Sequence, residues 1–364
     1  MPSIIELMNL VSSLDEKDKA LFDRFFMAHE VIGKAVLPDE MKPGVEKSFG
    51  STSSVETQKI IKVFNKHTFE MALFNELRAK RPINATSDED VLKTIKESEG
   101  DQFCNPLKQT PLDTFGRIKG RRCVTCSNFA KYDAMHAVVI FKKHNPLEFD
   151  EKDIHDYCDA SLQWFKKANR SNDKAIYPFL LWNCLWRAGS SIIHGHFQLV
   201  LGEGMHYAEA EYYNKIRKEY EKSYGADFFR DLYSIHAKLG FGFEHKKLMI
   251  FTSITPKKDK EITIIGPELD KKMMSAIFKA ANCLVKDAGV NSFNLGVIFP
   301  PIGTGKKMKG EADDWKGFPV IARILDRGKL SNKTVDIGGM EMYSASKVIE
   351  TDPGQVIEKL KKYF

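Results

Sequence analysis

The run Gly189-Ser-Ser-Ile-Ile-His-Gly-His-Phe-Gln198 constrains this chain more than any other segment. It sets His194, His196 and Gln198 two residues apart. That spacing fits an extended strand, in which alternate side chains share one face. Two imidazoles and a carboxamide then point into one site, while Gly195 and Phe197 face the other way. Imidazole is the side chain best suited to attack an electrophile or bind a metal near neutral pH. Just ahead, Gly189, Ser190 and Ser191 offer backbone N–H groups and hydroxyls that suit a phosphate. A polar sheet face with two incidental histidines would give the same pattern.

The chain has 364 residues, 43% of them hydrophobic, enough for one large or two ordinary domains with a buried core. Its net charge of +6 is mild and spread along the chain, which disfavours a nucleic-acid partner. The lysines around Lys306-Lys307-Met308-Lys309 read as a solvated loop. No apolar run reaches the roughly 18 residues of a membrane span, and no signal-peptide pattern opens the sequence. The six cysteines are scattered, as in a reducing cytoplasm rather than a disulfide framework. The expected location is cytoplasmic, with no membrane partner.

Apolar residues recur at helical steps over residues 3–35, and a Pro-, Gly- and Ser-rich linker covers 36–55. A second helical stretch is expected over 56–77. From about residue 110 the character is strand-like, with runs at Cys123–Cys126, Ala137–Phe141, Tyr177–Trp182 and Phe197–Leu201. A helix is expected at 149–169 and a long polar helix at 205–238. Strands at 246–265, 294–299 and 320–325 surround a helix at 276–286, and a helix at 355–363 follows. The strand-helix-strand order occurs twice, which predicts an α+β protein of two related halves.

The His194–Gln198 segment resembles the active-site strand of the histidine-triad superfamily. Gln198 points to the galactose-1-phosphate uridylyltransferase-like branch, whose motif is His-Pro-His-Gly-Gln. Other segments resemble that branch in the same order. They are Phe74-Asn-Glu-Leu-Arg-Ala-Lys-Arg-Pro82, Ser127-Asn-Phe-Ala130, Asn183, Glu244-His245 and Gly339-Met-Glu-Met342. The resemblance runs from about residue 74 to 364. It implies two tandem histidine-triad-like halves, antiparallel sheets with packed helices, at 71–235 and 236–364. Residues 1–70 would then be an N-terminal helical extension for packing or dimerisation. A homodimer is compatible with the resemblance.

The resemblance also implies a chemistry. His196 would attack the α-phosphorus of a nucleotide, and a phosphorylated leaving group would depart. His194 could orient the strand, bind a metal or contact phosphate. Gln198 can donate to a phosphoryl oxygen but cannot deliver a proton, which favours transfer over hydrolysis. Arg78 and Arg81 would clamp a diphosphate. Ser190, Ser191, Asn128 and Asn183 would contact nucleotide or phosphate, and Glu341 a sugar hydroxyl. The expected partners are a nucleotide sugar and a sugar 1-phosphate or other phosphorylated acceptor.

Family members often hold zinc through Cys-X-X-Cys, a later His and the first His of the active-site strand. Here the corresponding set is Asp101, Cys104, His144 and His194, a reasonable tetrahedral donor set. Cys123 and Cys126 fall on a strand with side chains on opposite faces, which argues against a shared metal. The family's second metal needs a His-X-His where this chain has Ile321 and Arg323, so no iron site is expected. Gly195 replaces the family's proline and Met340 its tyrosine, which leaves the sugar open. Three functions follow: a nucleotidyltransferase between nucleotide sugar and sugar 1-phosphate, a nucleotide-sugar or diadenosine-tetraphosphate phosphorylase using the same histidine, and a non-catalytic nucleotide-binding protein.

Overall fold

The computed structural model describes residues 1–79, 88–303, 313–332 and 335–364. Arg81 and the Lys306–Lys309 loop lie outside the described residues. The protein is a mixed α+β structure built on two sheets. The smaller sheet has four strands in the order β1-β2-β3-β13: β1 (Phe26–Lys34), β2 (Thr57–Asn65), β3 (Met71–Asn75) and β13 (Ser346–Ile349).

The larger sheet has nine strands, all paired antiparallel. Its first half contains β4 (Cys123–Ser127), β5 (Met135–Phe141), β6 (Ala175–Cys184) and β7 (His196–Glu203). Its second half contains β8 (Gly242–His245), β9 (Leu248–Thr252), β10 (Ile262–Gly266), β11 (Phe293–Ile298) and β12 (Val320–Asp326). The order is β4-β5-β7-β6-β11-β12-β10-β9-β8, so the halves meet at the β6–β11 pair and mirror each other outward from it. Each half inserts one helix after its second main strand, Glu151–Ser171 in the first and Lys271–Lys286 in the second. The registers agree closely. Ile140 faces His196 as Ile265 faces Ile321, and Val138 faces Gln198 as Thr263 faces Arg323.

The two faces of the large sheet are buried differently. The Glu151–Ser171, Lys271–Lys286 and Pro353–Lys361 helices cover one face. There Trp164, Trp182, Phe197 and Phe293 are fully buried in a single apolar cluster. Burying a large apolar side chain contributes roughly 1.5–3 kcal/mol, so this layer contributes heavily to the stability of the sheet. Asp150 opens the first helix with a capping box shared with Asp153. On the other face, Phe25, Phe26, Tyr220, Phe228, Phe251 and Ile321 join the N-terminal segment to the second half. The end of that face nearest β4 is left for the site.

The N-terminal segment is helical only as far as the Glu16–Phe25 helix. At Phe26 the backbone turns extended, with φ −125° and ψ 151°, and β1 begins. Residues 36–55 hold short helices, including Lys42–Phe49. The stretch read as helical over 56–77 is largely the β2–β3 hairpin. In Ile60-Ile-Lys-Val-Phe-Asn65, only Ile61, Val63 and Asn65 are buried, the period of two that a strand produces. The apolar residues there fit both periods, and pairing with β1 and β3 selects the strand. The polar helix expected at 205–238 is two helices, Ala208–Tyr224 and Phe228–Lys238, broken at Gly225 in the left-handed region. The first strands are closed by the last: β13 pairs parallel to β3, while Ser3 Oγ and the Ile4 N–H donate to the Asp352 carboxylate. No described helix is long and apolar enough to cross a membrane.

Candidate active site

The turn after β6 sets the site's entrance. Leu185 and Gly189 both take positive φ, +66° and +89°, and reverse the chain toward β7. Gly195 then passes so close to its neighbours that a Cβ would lie 2.5 Å from Phe141 Cδ2 and 3.2 Å from Pro146 Cα. Phe141 cannot retreat, because it stacks on Tyr157 with ring centroids 3.8 Å apart. Glycine is therefore required there by space.

This path brings both His194 and His196 against Phe103, whose ring meets them edge-on at 6.1 and 5.2 Å. Both imidazoles are buried. His196 Nδ1 lies 2.8 Å from the His194 carbonyl oxygen. A carbonyl only accepts, so Nδ1 carries the hydrogen and Nε2 keeps its electron pair. Burial lowers the pKa of His196 and holds it neutral. Gln198 follows on the same face, its Oε1 3.2 Å from His136 Nε2.

His194 faces a different group. Asp101, Cys104, His144 and His194 bring one ligand atom each to within 4.8 Å of one another. Cys104 Sγ lies 3.4 Å from His144 Nδ1 and 3.5 Å from His194 Nδ1, and the two Nδ1 atoms are 3.0 Å apart. Each ring's Nε2 meets a backbone carbonyl, Ile95 for His144 and Phe141 for His194, so each Nε2 carries a hydrogen. The two Nδ1 lone pairs therefore converge on each other. Asp101 Oδ2 is buried and without a partner among the described residues. Converging lone pairs, a thiol and an orphaned carboxylate oxygen are what a bound cation would satisfy, and the donor set fits a metal. Cys123 and Cys126 do not converge. One lies under the Glu151–Ser171 helix and the other beside Phe103 on the site face.

Asn183 on β6 accepts from Asn294 of β11 at 2.7 Å, across the seam between the halves. Asn128 directly follows β4, its Nδ2 3.0 Å from His136 Nε2. Ser190 is buried with its hydroxyl donated to the Ile192 carbonyl, and Ser191 is exposed. Arg78 stands on a short helix after β3, its Nε buried without a partner among the described residues. Glu341 lies in the Gly339–Tyr343 helix, where it accepts from the Gly338 N–H at 2.9 Å. It lines a cavity of about 390 Å³ together with Lys258, Arg327 and Asn294. Arg323, where the resemblance leads one to expect a metal-binding histidine, is largely buried, with Glu70, Glu209 and Glu261 at 3.0, 3.2 and 2.7 Å.

His136, Phe103 and Asn294 escaped the sequence reading. His136 carried one signal, a lone histidine in register with the apolar residues Val138 and Ile140 of β5. The other two belong to the site only through long-range packing.

No protein-family profile matches the chain, and no curated protein matches it in sequence. Solved structures match it in fold. An ADP-glucose phosphorylase from Arabidopsis thaliana with bound ADP-glucose aligns with TM-score 0.59 at 15% identity, covering 80% of this chain and 95% of that one. A GALT-like protein from the same plant aligns at 0.57 and 16% identity, over 72% of this chain and 92% of that one. A uridylyltransferase aligns at 0.55 and 13% identity, over 70% and 88%. The chain therefore has the fold that these three proteins share.

Proposed function

We propose that this protein is a nucleotidyltransferase that moves a nucleoside monophosphate between a nucleotide sugar and a sugar 1-phosphate through a covalent nucleotidyl-His196. One observation carries the reading. The His196 ring is held by Nδ1–H on the His194 carbonyl, with its Nε2 electron pair without a partner among the described residues, beside a carboxamide that can donate. Nε2 attacks the α-phosphorus and an N–P bond forms. The bond from phosphorus to the bridging oxygen breaks, and sugar 1-phosphate leaves with that electron pair. Its phosphate departs as an anion, so no proton need be delivered. Gln198 suits this step because it donates a hydrogen bond without giving up a proton. The acceptor phosphate then attacks the same phosphorus and restores the imidazole.

In this reading Ser190, Ser191, Asn128 and Asn183 face the nucleotide and its phosphates. Arg78 and Arg81 bind the diphosphate, and Glu341 the sugar. Asp101, Cys104, His144 and His194 would hold zinc. With four protein ligands such an ion is structural, fixing the His194 backbone from which His196 hangs. Elemental analysis of protein produced with zinc should give one ion per chain, lost in His144→Ala. Metal-free protein of unchanged stability would remove the ion from the scheme.

A nucleotide-sugar phosphorylase is the second reading, favoured by the likeness to the ADP-glucose phosphorylase fold. It shares the first step and differs in the acceptor, inorganic phosphate. Intact-protein mass after brief incubation with UDP-glucose, and separately with ADP-glucose, tests both. A gain of one nucleoside monophosphate, absent in His196→Gly, is expected and identifies the base. Release of the adduct by glucose 1-phosphate or by phosphate then separates the readings. No adduct with either donor would leave a nucleotide-binding protein.

A further inference from the structure

His136 lies on β5, on the face that carries His196 and Gln198, and is fully buried. Its own turn fixes it from several sides. The Asn128 N–H and Lys131 Nζ donate to its carbonyl at 2.9 and 3.1 Å, and the Tyr132 ring lies over its imidazole at 4.5 Å. The decisive bond is to the ring itself. The Tyr132 backbone N–H donates to Nδ1 at 3.0 Å. A peptide N–H can only donate, so Nδ1 holds the lone pair and the ring hydrogen sits on Nε2. Burial lowers the pKa of this imidazole, leaving it neutral with that single N–H.

Nε2–H has Gln198 Oε1 before it at 3.2 Å. Asn128 Nδ2 is 3.0 Å from the same nitrogen, but an amide nitrogen does not accept. Turned by 180°, which gives up the 3.3 Å bond that Asn128 Oδ1 accepts from the Ala130 N–H, Asn128 would share the hydrogen through its oxygen, and Gln198 would keep its orientation. The Gln198 carboxamide thus has one allowed direction, oxygen toward His136 and NH2 away from it. Among the described residues no hydrogen bond takes that NH2.

We propose that His136 is a positioning residue: it holds the Gln198 oxygen so that the amide hydrogens face the phosphoryl group in transfer. The inference rests on the reading of the site given above. A carboxamide without this tether presents its oxygen as readily as its nitrogen, and an oxygen there repels the phosphoryl oxygens. The second half uses the same reach across neighbouring strands. Glu261, beside β10, stands to Arg323 as His136 stands to Gln198, and meets it at 2.7 Å.

A double-mutant cycle of His136→Leu and Gln198→Ala tests the coupling, read as the rate of adduct formation with UDP-glucose and ADP-glucose. Each single variant should slow the step roughly tenfold to a hundredfold, with KM changed by less than about threefold. The double variant should be no slower than Gln198→Ala alone. His136→Gln, which keeps a donor, should recover part of the rate. Additive losses would overturn the proposal. A second measurement does not depend on turnover. Long-range 1H–15N spectra of the full chain, assigned with His136→Gln, should place the ring hydrogen on Nε2 and shift on Gln198→Ala. A hydrogen on Nδ1, or no shift, would overturn the proposal even in a chain that forms an adduct. Absence of any adduct in the unmodified chain, with the ring as described, would count against nucleotidyl transfer instead.

Discussion

The two halves of the large sheet share one plan and spend it differently. In the first half, β5 and β7 face each other with His136, His196 and Gln198 on the open face. In the second half, β10 and β12 repeat the register with Glu261, Ile321 and Arg323. Among the described residues, the first set leaves an electron pair on His196 and two hydrogens on Gln198 without partners, and the second set leaves none. Ile321 is packed in an apolar cluster, and the Arg323 guanidinium is surrounded by Glu70, Glu209, Glu261 and the Tyr213 hydroxyl. A largely buried cation among carboxylates is a lock between β12, the Ala208–Tyr224 helix and the loop after β2. The same backbone can therefore hold either a reactive site or a structural joint, depending on whether its polar groups are left partners or given them.

The largest effect expected is on the reactive side. His196→Gly should slow nucleotidyl-adduct formation by at least about 10⁴-fold, measured by intact mass, while nucleotide binding changes little. Substantial adduct in that variant would mean that the halves do not differ as described. The joint comes next. Arg323→Met should cost roughly 3–5 kcal/mol in denaturant unfolding, because buried Glu261 is left without its counter-charge. A loss below about 1 kcal/mol would show that the cluster does not lock the half.

A pH effect of similar size comes from two imidazoles outside the site. His206, just after β7, and His236, packed beneath β9, are both buried, and burial pushes each pKa down to about 4. The unfolded value is about 6.5. Between those values the unfolded chain binds more protons than the folded one. Stability should therefore be complete above pH 6.5 and fall as pH drops toward 4, by up to about 3 kcal/mol per imidazole. Unfolding midpoints across that range would check it. His236→Asn should flatten the slope, and an unchanged slope would rule that residue out. The smallest effect is the most diagnostic of the comparison. Ile321→Val, at the position matching His196, should cost about 1 kcal/mol and leave adduct formation unaltered.

Legibility followed the range of the interactions that set each element. His196 and Gln198 were readable on one strand face because their spacing is local, whereas His194, expected on the same strand, lies before β7 and turns to Asp101, Cys104 and His144. Cys104 and His144 were readable only through resemblance, since nothing in their own neighbourhoods points to a common centre. The N-terminal strands were misread because Ile60, Ile61, Val63 and Phe64 satisfy two periods at once, and the choice lies with partner strands. His136 was missed for a related reason. Its meaning depends on the Tyr132 N–H and on Gln198, two strands' worth of chain away, and neither bond leaves a trace in composition.

The closure of β3 by β13 bears on how the protein is made. Ser346 donates to the sulfur of Met71 from 275 positions away along the chain. During synthesis β1, β2 and β3 emerge early and must wait for most of the remaining chain before their sheet is complete. Until then β3 offers an unpaired edge, the surface through which nascent chains associate wrongly. Pairings this distant also slow folding, since loop entropy is lost before the contact returns anything. The step at greatest risk of aggregation is thus the docking of a four-residue strand.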